Sequence, residues 1–105
     1  MSVLFKKEVK AVIDYLEHGT NTQRTGEGIW EFALDDESGA FAYGNHTYVR
    51  CNIKSIVNGE EFKDEKVYDT RYYKGITNEK TFERFCLDTV KEYYGSNAKE
   101  VFFKV

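Results

Sequence analysis

The stretch HTYVRCNIKSIV, His46 to Val57, is the longest run of period-two alternation in the chain, and its reading decides the fold. Val49, Cys51, Ile53 and Val57 fall on one side; Tyr48, Arg50, Asn52 and Lys54 fall on the other. Alternation of this kind marks a strand with one shielded and one solvated face. It ends at Asn58-Gly59, the pair best suited to a type I′ hairpin turn because both residues tolerate positive φ. The segment is therefore expected to be the central strand of an antiparallel sheet. The chain returns through Glu60–Asp64, and counting across a two-residue turn sets Ser55 opposite Phe62 on the buried side. Continuing by twos points Tyr68 and Tyr72 inward, and Val67, Asp69, Arg71 and Tyr73 outward. The charged KDEK at 63–66 suggests a bulge.

Working upstream, Ile29 to Leu34 alternates, with Trp30, Phe32 and Leu34 set against Ile29, Glu31 and Ala33. Asp35-Asp36-Glu37-Ser38-Gly39 reads as a turn, acids first and glycine last. Ala40 to Tyr43 reads as a short returning strand and Gly44-Asn45 as the next tight turn. Thr20 to Gly28, TNTQRTGEG, has no apolar residue and two glycines, which reads as a loop. It lacks the Gly-Lys-Ser/Thr ending of a phosphate-binding loop. Residues 3–18 read as a helix: Phe5, Val9, Val12, Ile13 and Leu16 form one stripe, Gly19 is the stop, and Lys6, Lys7 and Lys10 lie off the stripe.

Downstream, Thr77 to Tyr94 reads as a helix capped by Thr77 or Asn78, with Phe82, Phe85, Cys86, Val90 and Tyr93 as its buried stripe, widened by Leu87, and Gly95 as its end. Lys99 to Val105 alternates and closes the chain as a strand. The expected fold is one α+β domain over residues 1–105: an antiparallel four- to five-stranded sheet, element order α-β-β-β-β-α-β, with both helices on one face. A four-stranded sheet followed by a helix is similar, in element order alone, to some single-strand-binding coactivator folds.

Composition bounds the function. A chain of 105 residues with 41% hydrophobic and 31% charged content builds an ordinary core without disulfides. Aromatics reach 16%, so some rings are expected at the surface as contact residues. The net charge of −3 argues against a generic binder of nucleic-acid backbone. Two isolated cysteines make neither a disulfide framework nor a zinc site. No segment has signal-peptide or transmembrane length, so the expected address is cytoplasmic and no membrane is involved. Proline is absent, and Lys, Glu, Tyr and Phe are common, a composition that an AT-rich genome such as that of a low-GC bacterium or its phages would produce.

Catalysis has little to stand on. Cys86 sits mid-stripe and Cys51 faces inward, both as packed thiols. His46 lies on the opposite face from Cys51, and His18 ends the first helix. The paired carboxylates Asp35/Asp36 and Glu60/Glu61 sit on turns with no pocket to perturb them. Asp35, Asp36 and Glu37 lack the spacing of a calcium loop. The expectation is a non-enzymatic module with no cofactor and no metal.

In a four-stranded meander the first and third turns point the same way. That would bring Asp35, Asp36 and Glu37 to the same end as Glu60 and Glu61, with the longer third hairpin projecting beyond and offering Ile56 and Phe62. An acidic end with spare aromatics suits a basic protein partner. The expected function is a small regulator or inhibitor, of the kind phages and mobile elements encode, acting through those residues. The alternative is single-stranded nucleic acid on the open sheet face, where Tyr48, Arg50, Lys54, Arg71 and Tyr73 would combine stacking rings with cations. The closing strand at 99–105 also offers an edge to a second copy.

Overall fold

The computed structural model describes residues 2–16, 19, 22–37, 46–70 and 75–104. Strands β1 (Ser2–Leu16), β2 (Gln23–Glu37), β3 (His46–Val57) and β4 (Glu60–Asp69) pair antiparallel in succession. Helix α1 (Glu79–Tyr94) and a short 3-10 turn (Gly95–Asn97) then lead to β5 (Ala98–Phe103), which returns antiparallel beside β1. The spatial order is β4-β3-β2-β1-β5. The antiparallel sheet and the mixed α and β content agree with expectation. The order of elements does not, because a strand replaces the first helix.

The correction at β1 has a local cause. Phe5, Val9, Ala11 and Ile13 alternate, but Lys7 occupies the apolar side of the alternation and breaks it. The remaining apolar residues then mimic a helical stripe. Lys7 is tolerated on the shielded face because its ammonium pairs with Glu79 at 3.1 Å and Glu83 at 3.0 Å, both on α1. These hydrogen bonds, Glu83's first, raise the lysine above its ordinary pKa.

The loop expected at 20–28 is strand from Gln23 onward. β2 starts at Gln23, and Gly26 and Gly28 are buried within it. A Cβ at Gly26 would lie 2.6 Å from the carbonyl oxygen of Ile56. The turn expected at 35–39 is strand as far as Glu37, and β2 pairs directly with β3, ending with Glu37 opposite His46. The strand expected at 40–43 lies outside the described residues, as do His18 and Tyr72.

Where local chemistry is strong, expectation and structure coincide. Asn58 (φ 54°) and Gly59 (φ 78°) make the predicted hairpin, and Ser55 pairs with Phe62. The pairing runs unshifted from Tyr48↔Asp69 to Val57↔Glu60, so the KDEK segment carries no bulge. Asn78 caps α1: its side chain accepts from the Thr81 amide at 2.9 Å, while the Thr81 hydroxyl accepts from the Asn78 amide at 2.9 Å. Gly95 closes the helix at φ 57°.

The core lies between α1 and the odd-numbered side chains of β1 and β3 with the even-numbered ones of β2. Val9, Ala11, Ile13, Trp30, Phe32, Leu34, Val49, Cys51 and Ile53 meet Phe82, Cys86 and Val90. Phe5 stacks on Phe82 at one end, and Tyr68 meets Phe85 edge-on with centroids 5.4 Å apart. At the other end Tyr94 lies against Trp30 and accepts a hydrogen bond from its Nε1 at 3.0 Å. The same hydroxyl shares a 2.9 Å hydrogen bond with Ser55. This packing needs glycine at 28, where a Cβ would fall 2.0 Å from Tyr94 Oη.

Gly28→Ala is therefore expected to cost about 1–3 kcal/mol by overpacking. Tyr94→Phe should cost about 1–3 kcal/mol by stranding the Trp30 donor and Ser55. Removing the hydroxyl also relieves part of the clash, so in urea unfolding the double variant should lose less than the two singles together.

Candidate functional site

The face away from α1 is built from the alternate side chains of each strand, and its charges fall in rows across the sheet. Pairing aligns Glu61, Ile56, Glu27 and Val12 in one row, and Lys63, Lys54, Ile29 and Lys10 in the next. Glu65, Asn52, Glu31 and Glu8 follow, then Val67, Arg50, Ala33 and Lys6. Rows are about 6.8 Å apart, two residues along a strand. Acidic and basic rows thus alternate. Ion pairs bridge them, Lys10 to Glu27 at 3.0 Å and Lys54 to Glu61 at 3.1 Å.

Asp35 departs from the expected exposed tip. It is 2% exposed, and its carboxylate accepts from Arg50 Nε and, at 3.3 Å, from Nη2. The hydrogen-bonded carboxylate raises the guanidinium further above its ordinary pKa. Tyr48, Arg50 and Lys54 do share the open face, as alternation requires. Two of these three, Arg50 and Lys54, are engaged by acids of the same face. Arg71 and Tyr73 lie outside the described residues.

The two acidic segments are not neighbours. Because β2 pairs directly with β3, the backbone of Asp35, Asp36 and Glu37 lies beside His46–Tyr48, whereas Glu60 and Glu61 lie beside Val57 and Ile56. Eight positions of β3 separate Tyr48 from Ile56, about 27 Å. The two segments therefore occupy opposite ends of the sheet rather than one. Ile56 lies on the open face in the row of Glu61 and Glu27. Phe62 points to the helix side but is 54% exposed.

Sequence reasoning missed a groove on the helix side of β4. Lys66 and Tyr68 form one wall; Phe85, Asp88, Thr89, Glu92 and Tyr93 of α1 form the other, enclosing about 460 Å³. Its floor is aromatic. Tyr93 is 46% exposed, meets Trp30 edge-on at 5.0 Å, and carries the Lys66 ammonium 5.0 Å over its ring. The signal available in the sequence was the second helical stripe of Phe85, Asp88, Thr89 and Glu92, spaced three, one and three residues apart.

β4 is an outer strand of the sheet, and its backbone polarity follows from the pairing. The Thr70 amide bonds to the Thr47 carbonyl, so even-numbered residues of β4 face β3. The backbone groups of Glu61, Lys63, Glu65, Val67 and Asp69 consequently point away from the sheet.

The two thiols are buried between sheet and helix. Burial pushes Cys51 up to about 12 and raises Cys86 as well. Among the described residues no group of three or more His, Cys, Asp or Glu is placed to hold a metal, and no helix is long and apolar enough to cross a membrane. No protein-family model matches the chain. Comparison with curated proteins and with solved structures likewise gives no match.

Two outcomes follow for stability. Arg50→Ala leaves the Asp35 carboxylate buried without its cation, so it should lower the thermal midpoint clearly more than Lys54→Ala, whose partner Glu61 is exposed. Replacing both Asp35 and Arg50 by leucine should recover much of the loss. The thiols act at high pH. Their folded pKa values lie above the unfolded one, so their contribution is complete below about pH 9 and is lost as pH rises towards 12. In Cys51→Ala, the decline of unfolding free energy over that window should be shallower by about 1.4 kcal/mol per pH unit.

Proposed function

We propose that this protein is a small non-catalytic binding module that captures an extended, basic segment of a partner protein along β4 and regulates the partner by occupying that segment. What carries the reading is the meeting of an outer ten-residue strand with an aromatic groove beside it. A strand added to β4 would pair with the outward backbone groups of Glu61, Lys63, Glu65 and Val67 and set its alternate side chains over Tyr68, Phe85 and Tyr93.

Charge selects the occupant. β4 carries Glu60, Glu61, Asp64, Glu65 and Asp69 against Lys63 and Lys66, and the groove adds Asp88 and Glu92. Such density discourages indiscriminate pairing of apolar strands at an exposed edge. A lysine- or arginine-bearing strand turns the same charges into attraction and faster encounter. Exposed Phe62 and half-buried Ile56 at the hairpin end extend the contact. The acids at 35–37 belong to the far end of the sheet and take no part.

Single-stranded nucleic acid on the open face is the competing reading, supported by Tyr48, Arg50 and Lys54 lying on one face. Phosphate there would have to displace carboxylates from Arg50 and Lys54, so each cation exchanges one anion for another.

A labelled ten-residue peptide alternating lysine with valine or phenylalanine tests the proposal by fluorescence anisotropy. Expected is salt-sensitive binding that is lost in Glu65→Pro, which removes an outward amide without touching the β3 ladder, and weakened about ten-fold in Asp88→Lys/Glu92→Lys. An acidic peptide of the same length should not bind. Equal binding by Glu65→Pro and the parent would overturn strand addition. Binding of labelled oligothymidylate that is sensitive to Arg50→Ala and indifferent to Glu65→Pro would favour the open face instead.

A further inference from the structure

We infer that the opposite edge of the sheet, β5, is a self-recognition edge that joins two copies of the chain. β5 is the last strand beyond β1. The Lys104 amide donates to the Glu8 carbonyl at 2.8 Å, which turns the backbone groups of the even-numbered residues towards β1. Those of Val101 and Phe103 point outward. The edge is apolar where β4 is charged: Phe102 is 42% exposed, and Val101 and Phe103 are half-buried against the core.

The register follows from the side chains. A two-fold axis normal to the sheet pairs β5 antiparallel with its copy and keeps both helices on one face. Four registers are open to so short a strand, centred on residues 100, 101, 102 or 103. Centring on Glu100 sets two glutamates face to face. Centring on Val101 puts Glu100 against Phe102 and Lys99 against Phe103. Centring on Phe103 puts Phe102 against Lys104. Centring on Phe102 is the register that opposes unlike charges and sets the apolar residues 101 to 103 against one another.

In that register Glu100 faces Lys104 of the copy twice over, and Val101 faces Phe103 of the copy twice over. The two Phe102 rings meet at the axis. Both Val101–Phe103 pairs are hydrogen-bonded ones, each exchanging both N–H···O bonds. Phe102 falls in a non-hydrogen-bonded pair, where side chains approach closest. Opposite charges and aromatic contacts directly across strands are the pairs that stabilise a sheet. Lys104 already reaches Glu8 at 3.5 Å and is half-exposed, so it bridges two carboxylates in the dimer. The product is a continuous ten-stranded sheet with β4 at each outer edge. Its contact is small for a protein interface, so association should depend on concentration within an ordinary experimental range.

Sedimentation equilibrium over a wide concentration range tests association, and cysteine cross-linking tests register. Expected is a reversible dimer whose dissociation constant rises about ten-fold or more in Glu100→Lys, through two like-charge pairs, and is restored in Glu100→Lys/Lys104→Glu. Phe102→Cys should oxidise to a covalent dimer, the native thiols being buried, whereas Glu100→Cys should not. A monomer at all concentrations would overturn the inference. So would a dimer indifferent to Glu100→Lys, or one that cross-links through position 100 in preference to 102.

Discussion

Helix α1 has to cover a sheet about twice its length, and most of the molecule's surface chemistry follows from that mismatch. Sixteen residues of α1 span about 24 Å. The fifteen-residue strands β1 and β2 run to about 50 Å, in keeping with a longest dimension of 54 Å. The core is therefore confined to the length between Phe5–Phe82 at one end and the Trp30–Tyr94–Ser55 contact at the other. Beyond Tyr94 α1 no longer covers the helix side of the sheet, and Phe62 is exposed although its parity is that of a core residue. On the flank, α1 sits over β1 and β5 more than over β4, and the gap becomes the aromatic groove.

The uncovered face raises a different physical problem. A one-layer sheet must keep its solvent side hydrated without creating a single-sign field, because like charges directly across strands destabilise. Here the like charges lie within rows, as with Lys54 and Lys63, while each row is bordered by rows of opposite sign. Attraction along the strands offsets repulsion across them. The result is a nearly self-neutralised surface. Its cations are consequently poor recruits for phosphate, and Asp35 is the extreme case, buried against the half-exposed guanidinium of Arg50.

How much of this was legible depended on the range of the interactions responsible. β3, its Asn58-Gly59 turn, the register to Phe62 and α1 with its Asn78 cap are dictated by residues within a few positions of one another, and all were readable. β1 was not, because the lysine that spoils its alternation is satisfied by Glu79 and Glu83, more than seventy residues away. The first half of β2 hid for a related reason. Its core-facing positions are Gly26 and Gly28, and the volume there is filled by Tyr15 and Tyr94 from other elements. A polar, glycine-rich string is what such a strand must look like when neighbours supply its side chains. The misplaced acidic tip descends from the same fault: β2 runs on to Glu37 and pairs directly with β3, so β3 runs opposite to the direction that a turn at 35–39 and a return strand would have given it.

On the readings proposed above, the two edges of the sheet divide the labour of recognition by the same rule of pairing. An edge strand is a standing invitation to any other strand, and the ways of refusing it are charge, shortness or cover. β4 refuses by charge, which narrows its guests to strands of opposite sign. β5 is short and apolar, and its sequence reads the same to its own copy as the copy reads to it, so its preferred guest is itself. Satisfying β5 in this way places two β4 edges nine strand spacings apart, about 43 Å. Two basic segments carried on one partner, or on a partner that is itself two-fold, would then be held together, and the second engagement would occur at a high effective concentration. A short interface at one edge would thereby multiply a weak contact at the other without any new contact being made.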